Sequence, residues 1–225
     1  MIVAIDGPAG TGKSTIASRV ANSAGFLYLN SGSLYRAFTW RVLKEEPGLA
    51  EAESGDHLNR RAVELADEID LSLTRDGIIV DGSRPNNELH SPSVDRFVAP
   101  ISSIPKIRDR VNAELLALAK EDDVVAEGRD MTTVVFPNAE LKVFLNANLQ
   151  ARAKRRHRER ANGATIERVR DEIARRDRID ATKAVGRLKV HPSALYIDTS
   201  YLTVDQVCDI VLRAILRQKP RNRSY

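Results

Sequence analysis

Gly7-Pro8-Ala9-Gly10-Thr11-Gly12-Lys13-Ser14-Thr15 carries the full spacing G-x-x-x-x-G-K-[ST] of a phosphate-binding loop. Each position has a physical job there. Glycines let successive backbone N–H groups turn inward around phosphate oxygens with no Cβ in the way. A helix starting near Gly12 or Lys13 would aim its unpaired N–H groups and positive dipole end at the same anion. Lys13 would reach the β and γ phosphates, and the Ser14 hydroxyl would ligate Mg²⁺. With Gly near 7% of residues, a chance match in a chain this long has a probability of about one percent. The pattern therefore implies a nucleoside triphosphate as its metal complex. It does not by itself separate a kinase from a GTPase or a motor ATPase. No pair of residues reads as a guanine-specificity motif, and 225 residues are few for a motor domain.

Further candidates lie downstream. Asn30-Ser31-Gly32-Ser33-Leu34-Tyr35-Arg36 and Glu127-Gly128-Arg129-Asp130 each follow a short apolar run. Arg36, Arg108 and Arg129 offer forked donors suited to a phosphate, although any one of them alone reads equally as a surface residue. Arg152, Arg155, Arg156, Arg158 and Arg160 crowd one predicted helix and turn before Asn162-Gly163, with Arg152 and Arg156 sharing a face at i, i+4. Such a cluster reads either as a focus for polyanions or as a solvated helix face. No constellation of His or Cys reads as a catalytic centre.

The elements that must position these residues follow from periodicity. Short continuous apolar runs at Ile2 to Ile5, Phe26 to Leu29, Asp123 to Ala126, Leu141 to Leu145 and Ala194 to Ile197 predict buried parallel strands. They alternate with helical patterns at Gly12 to Ala24, Ser33 to Lys44, Pro105 to Lys120, Leu149 to Ala161, Thr165 to Lys183 and Thr203 to Leu216, the signature of an α/β sheet. Thr165 and Thr203 are expected N-caps. Between Gly48 and Ser103 the rhythm breaks, and Asp76-Gly77 between apolar runs predicts a β-hairpin. That hairpin is either an insertion rising from the sheet or an antiparallel addition to its edge.

Composition sets outer bounds. The chain is 42% hydrophobic and 29% charged, which suits a globular protein. No run approaches the ~20 apolar residues of a membrane span, and Met1 to Asp6 is too short an apolar start for a signal peptide. The single cysteine, Cys208, excludes an intrachain disulfide and makes a reducing cytoplasm the expected compartment. Its stripe with Val204, Val207, Val211 and Ile215 marks it as a core thiol. The net charge of +4 is mild, and aromatics at 5% give no interleaved nucleic-acid patch. Lys219 to Arg223 reads as part of a solubilising tail.

The sequence resembles the nucleoside monophosphate kinases, and most closely the bacterial cytidylate kinases. The resemblance rests on Ile5-Asp6-Gly7-Pro8, Ser31-Gly32-x-x-Tyr35-Arg36, Pro105-x-x-Arg108, Gly128-Arg129-Asp130-Met131, Thr133-Val134-Val135-Phe136-Pro137 and Arg176-Asp177-x-x-Asp180, in the family's order. It implies a three-layer α/β P-loop kinase with a five-stranded parallel sheet. Residues 1–225 would form one domain, with a monophosphate-binding subdomain inserted at about 31–108 and an Arg-rich lid at about 150–164. The reaction implied is transfer of the γ-phosphoryl group of ATP, with Mg²⁺, to CMP or dCMP. Carried over residue by residue, Gly7 to Thr15 would hold ATP, with Pro8, Ala9, Gly10, Thr11, Gly12, Lys13 and Ser14 between. Arg36 and Arg129 would hold the acceptor phosphate. Ser31, Arg108 and Asp130 would lie at the base, with Tyr35 among the substrate-binding residues. Arg176 and Asp180 would lie near the ribose, with Arg176 also facing the transferring phosphate, and Lys183 would complete the set. Lys13, Arg129, Arg152, Arg156 and Arg176 are the candidate catalytic cations. Four positions depart from the family's common residues: Asn30 for Asp, Ala99 for Ser, Thr132 for Gly and Lys183 for Arg. Lys183 keeps the charge but loses the planar fork, and these changes leave CMP, dCMP and UMP open as acceptors. Rival readings are a P-loop kinase for a non-nucleotide metabolite and a nucleic-acid-binding P-loop protein. The expected form is a cytoplasmic monomer with small-molecule partners and neither membrane nor nucleic acid.

Overall fold

The computed structural model describes residues 1–45, 48, 55–159 and 164–218. Arg160, Asn162 and Gly163 of the expected lid, and the tail from Lys219, lie outside the described residues. The chain divides into two compact units. The first comprises residues 1–29, 122–182 and 187–225, and the second residues 30–121 and 183–186.

The first unit is built on five parallel strands: β1 (Ile2–Asp6), β2 (Leu27–Asn30), β5 (Val124–Gly128), β6 (Leu141–Asn146) and β7 (Leu195–Asp198). Their order is β2-β5-β1-β6-β7, so the first strand is central and its neighbours come from far along the chain. Register pairs Asp6 with Gly128 on one side and with Phe144 on the other. All five predicted strands form, four ending one residue beyond the predicted run and β5 two residues beyond it. Alternation along β1 sends Val3 and Ile5 into a core with α1 (Lys13–Ala24) and α8 (Val204–Gln218), where Ile16, Val20, Val207, Val211 and Ile215 are almost fully buried. Each such side chain contributes about 1.5–3 kcal/mol of burial. Cys208 belongs to this core, and burial raises its thiol pKa.

Helices α6 (Leu149–Glu159) and α7 (Ile166–Thr182) complete the unit. Thr165 Oγ1 accepts from Arg168 N at 3.3 Å, as an N-cap should. Thr203 makes a reciprocal box: its Oγ1 accepts from Gln206 N at 3.2 Å while Gln206 Oε1 accepts from Thr203 N at 2.9 Å.

The second unit holds α2 (Ser31–Glu45), α3 (Gly55–Glu64), α4 (Pro92–Ile101), α5 (Pro105–Glu121) and a separate two-stranded antiparallel sheet, β3 (Leu71–Thr74) with β4 (Gly77–Val80). The hairpin is therefore not an addition to the edge of the main sheet. Its loop is Arg75-Asp76, one residue earlier than the Asp76-Gly77 pair suggested. The positive φ falls on Gly77, at 123°, which pairs with Thr74. Helix α4 carries a signal the periodicity reading passed over. Ser91 caps it, Pro92 opens it, and Val94, Phe97, Val98 and Ile101 are buried at i, i+3, i+4 and i+7. Pro100 in the last turn masks that pattern.

Candidate functional site

The phosphate-binding loop leaves β1 at its carboxyl end, where open α/β sheets bind ligands beside a switch in strand order. Here the switch lies at β1 itself, between β5 and β6. A Cβ on Gly7 would stand 2.1 Å from the Leu145 carbonyl oxygen, so this turn against β6 admits only glycine. Lys13 is 5% exposed and donates from Nζ to the Pro8 carbonyl oxygen at 2.8 Å, folding over the loop it belongs to. Burial, then the nearby Arg129 charge, lower its pKa to about 7.

Ser14 and Thr15 are exposed at the start of α1. The Ser14 hydroxyl donates to Glu127 Oε1 at 2.6 Å, and Tyr28 OH reaches the same oxygen at 3.1 Å. Glu127 is 4% exposed at the carboxyl end of β5. Sequence reading did not single it out. The available signal was an acidic residue ending the strand that pairs with β1. A hydroxyl beside a carboxylate is hard oxygen chemistry, suited to Mg²⁺ completed by phosphates and water.

Arg129 and Asp180 form the charged centre of this unit. Arg129 Nε donates to Asp180 Oδ2 at 2.7 Å, and Arg176 Nε lies 4.0 Å from the same oxygen. Burial opposes the charge on Arg129, but the Asp180 carboxylate overcomes it and raises the guanidinium's pKa. Asp180, expected near the ribose, thus also serves as the shared counter-ion of two predicted phosphate-facing arginines. Asp130 is 2% exposed, and its carbonyl oxygen accepts from Val134 N at 2.9 Å in the π-helical turn Met131–Val135.

The arginines of α6 part company. Arg152 is buried and its guanidinium is spent on the Ala147 carbonyl at 2.9 Å, the Ala9 carbonyl at 3.1 Å and Asp177 Oδ2 at 2.5 Å. It grips the phosphate-binding loop by its backbone. Arg155 bonds the Thr199 carbonyl and, at 3.0 Å, the Thr199 hydroxyl. Arg156 is half-buried and Arg158 exposed.

In the second unit, Asn30 Oδ1 accepts from Ser33 N at 3.0 Å and so caps α2, placing Ser31, Tyr35 and Arg36 on its first two turns. Arg36 Nη1 donates to the Leu89 carbonyl at 2.9 Å and Nη2 to Asp95 Oδ1 at 2.6 Å. Arg108 is 3% exposed, lies 5.8 Å from the Tyr35 ring centroid and donates to the Ser102 carbonyl at 3.2 Å. The Ala99 carbonyl accepts from both Ser102 Oγ at 2.9 Å and Ser103 Oγ at 3.1 Å. Lys183 is half-buried and lies in the short segment that returns to this unit, close to Gly186 against Arg108.

The model of the cytidylate kinase family matches residues 3–217. The chain belongs to the cytidylate kinase family. A cytidylate kinase of Caldanaerobacter subterraneus subsp. tengcongensis is 38% identical over 216 residues, covering 95% of this chain and 93% of that one. One from Borreliella burgdorferi is 35% identical over 225 residues, covering 99% and 100%. Among solved structures, TT1252 from Thermus thermophilus covers 98% of both chains with a TM-score of 0.50 at 20% identity, a likeness of fold alone. Family membership gives the P-loop, Glu127 and the arginine–aspartate centre a common context in phosphoryl transfer from ATP. It favours the kinase reading over the nucleic-acid-binding one, which rested only on the pI and the basic tail. A separate cleft of ≈ 740 Å³ near Leu141 and Leu195 lies at the opposite, amino-terminal edge of the strands. Among the described residues no helix is long and apolar enough to cross a membrane.

Proposed function

We propose that this chain transfers the γ-phosphoryl group of ATP to CMP or dCMP, giving ADP and CDP or dCDP. The observation that carries the reading is the cluster of Lys13, Glu127, Arg129 and Asp180 at the carboxyl ends of β1 and β5, in a chain of the cytidylate kinase family. The P–O bond to the β-phosphate breaks as a bond to the acceptor phosphate oxygen forms. The acceptor's second pKa is near ~6, so at neutral pH it needs no general base. What the reaction needs is neutralisation of two anions and exact placement in line.

The roles follow the family residue by residue. Backbone N–H groups from Gly7 to Thr15 and the Lys13 ammonium bind the ATP phosphates. Ser14 would hold Mg²⁺, with Glu127 orienting the Ser14 hydroxyl, and the ion would supply charge neutralisation for the phosphates. Arg36 and Arg129 take the acceptor phosphate. Ser31, Arg108 and Asp130 recognise the base, where a carboxylate accepts from the exocyclic amine that cytosine has and uracil lacks. Tyr35 backs Arg108, Arg176 and Asp180 serve the ribose side, and Lys183 adds positive charge. Residues 31–108 act as the monophosphate subdomain and 150–164 as the lid. Within that lid the bonding of Arg152 to Ala9 and Asp177 supports a positioning role, leaving Arg156 as the cation for the transferring phosphate.

The test is ADP release with ATP-Mg²⁺ and CMP, dCMP, UMP, AMP or GMP in turn. Stimulation by CMP and dCMP above the others is expected. No stimulation by any pyrimidine monophosphate would sink the assignment.

A further inference from the structure

Asp6 ends β1 immediately before Gly7, is 0% exposed, and has no part in the chemistry above. Both of its carboxylate oxygens are engaged. Oδ1 accepts from Met131 N at 2.9 Å, and Oδ2 accepts from Thr132 N at 2.8 Å and from Thr132 Oγ1 at 2.6 Å. All three donors are neutral and come from the first two residues after Asp130. Two are N–H groups at the start of the Met131–Val135 turn, where a helical segment leaves its donors without internal partners.

Burying a carboxylate is costly unless it is well bonded, and here it satisfies three buried donors, two of them N–H groups without partners inside the turn. The same bonds also set geometry. The end of β1 is fixed where Gly7 meets Leu145, as no side chain fits there. A rigid acceptor at Asp6 consequently fixes Met131 and Thr132, and with them the direction in which Arg129 and Asp130 leave β5.

We propose that Asp6 is a positioning residue for the acceptor side of the reaction, clamping through Thr132 the segment that carries Arg129 and Asp130. The proposal rests on the reading of Arg129 and Asp130 as acceptor-binding residues. The Thr132 hydroxyl adds a third donor to the clamp beside the two backbone N–H groups.

Steady-state kinetics of T132V, T132S, D6N and R129A test this, with CMP varied at saturating ATP, ATP varied at saturating CMP, and a melting curve for each protein. Valine keeps the shape of Thr132 and removes one hydrogen bond, so T132V raises KM for CMP about 3- to 10-fold, with KM for ATP within about twofold. T132S restores the parent value. In D6N an amide N–H must face another donor, and KM for CMP rises about 10- to 100-fold. If D6N does not fold, the T132V and T132S pair still decides. The clamp is overturned if R129A raises KM for CMP while T132V and, where folded, D6N leave it within about twofold. It is equally overturned if T132V raises KM for ATP as much as KM for CMP. An R129A enzyme with unchanged KM for CMP rejects the acceptor reading itself, and the clamp with it.

Discussion

Single residues set the electrostatics of the nucleotide site before any nucleotide arrives. Lys13 is a buried cation and Arg129 a half-buried one, and their neighbours pull in opposite directions: Asp180 keeps Arg129 charged, whereas burial and the Arg129 charge weaken the proton on Lys13. The same close packing governs Arg108. Gly186 has φ +67°, and a Cβ there would lie 2.3 Å from Arg108 Nη1. The guanidinium is the flexible partner, so Gly186→Ala displaces Arg108 from the Tyr35 ring instead of unfolding the segment. A left-handed alanine costs roughly 1–2 kcal/mol of stability. Loss of a charge-assisted contact to the base would raise KM for CMP by about tenfold, with KM for ATP unchanged. Kinetics with each substrate varied in turn check this, and an unchanged KM for CMP removes Arg108 from the base site.

At the scale of elements, α6 is a strut as well as part of the proposed lid. Arg152 links it to the Ala9 carbonyl and to Asp177 of α7, so three elements meet at one guanidinium. Arg152→Ala leaves these acceptors without their donor and is expected to cost about 1–3 kcal/mol in unfolding free energy, with KM for ATP rising as the loop loosens. Among the described residues Arg156 makes no comparable bond, so Arg156→Ala should change stability by less than about 0.5 kcal/mol. Its effect belongs to turnover, expected to fall by about tenfold or more if the side chain meets the transferring phosphate. Denaturant melts and turnover of the two variants separate strut from lid. An Arg156→Ala enzyme with parent turnover loses its assigned role.

For the whole molecule, two buried groups shape stability against pH without ligand. Burial raises Asp6 from 3.8 to about 6, against the hydrogen bonds from Thr132 and Met131. Between about pH 4 and 6 the native state holds this proton and the unfolded chain does not, so stability falls as pH rises through that window. Lys13 runs the other way. Lowered from 10.5 to about 7, it is neutral in the native state while still protonated when unfolded, so stability rises between about pH 7 and 10. Their joint contribution is therefore lowest near pH 6 to 7. Unfolding free energies measured against pH should show the acid-side fall reduced in D6N and the alkaline-side rise reduced in Lys13→Met. Parallel curves for parent and variants would contradict both assignments.

The sequence by itself determined the parallel sheet and the phosphate-binding loop, and its resemblance to cytidylate kinases supplied the proposed acceptor-side residues. Short β-branched runs and a glycine-rich turn are local signals that survive any packing. It missed α4, where Pro100 broke an otherwise regular pattern, and misplaced the hairpin turn by one residue. Only the tertiary structure decided which partners those residues meet. Glu127 reaches Ser14 across 113 positions, Asp6 reaches Thr132 across 126, and Arg152 reaches Ala9 across 143. Pairings of that range depend on strand order and on burial, which no local pattern encodes. Adjacent strands β5, β1 and β6 bring together residues far apart in sequence, and the low dielectric between them turns such neighbours into counter-ions, clamps and struts.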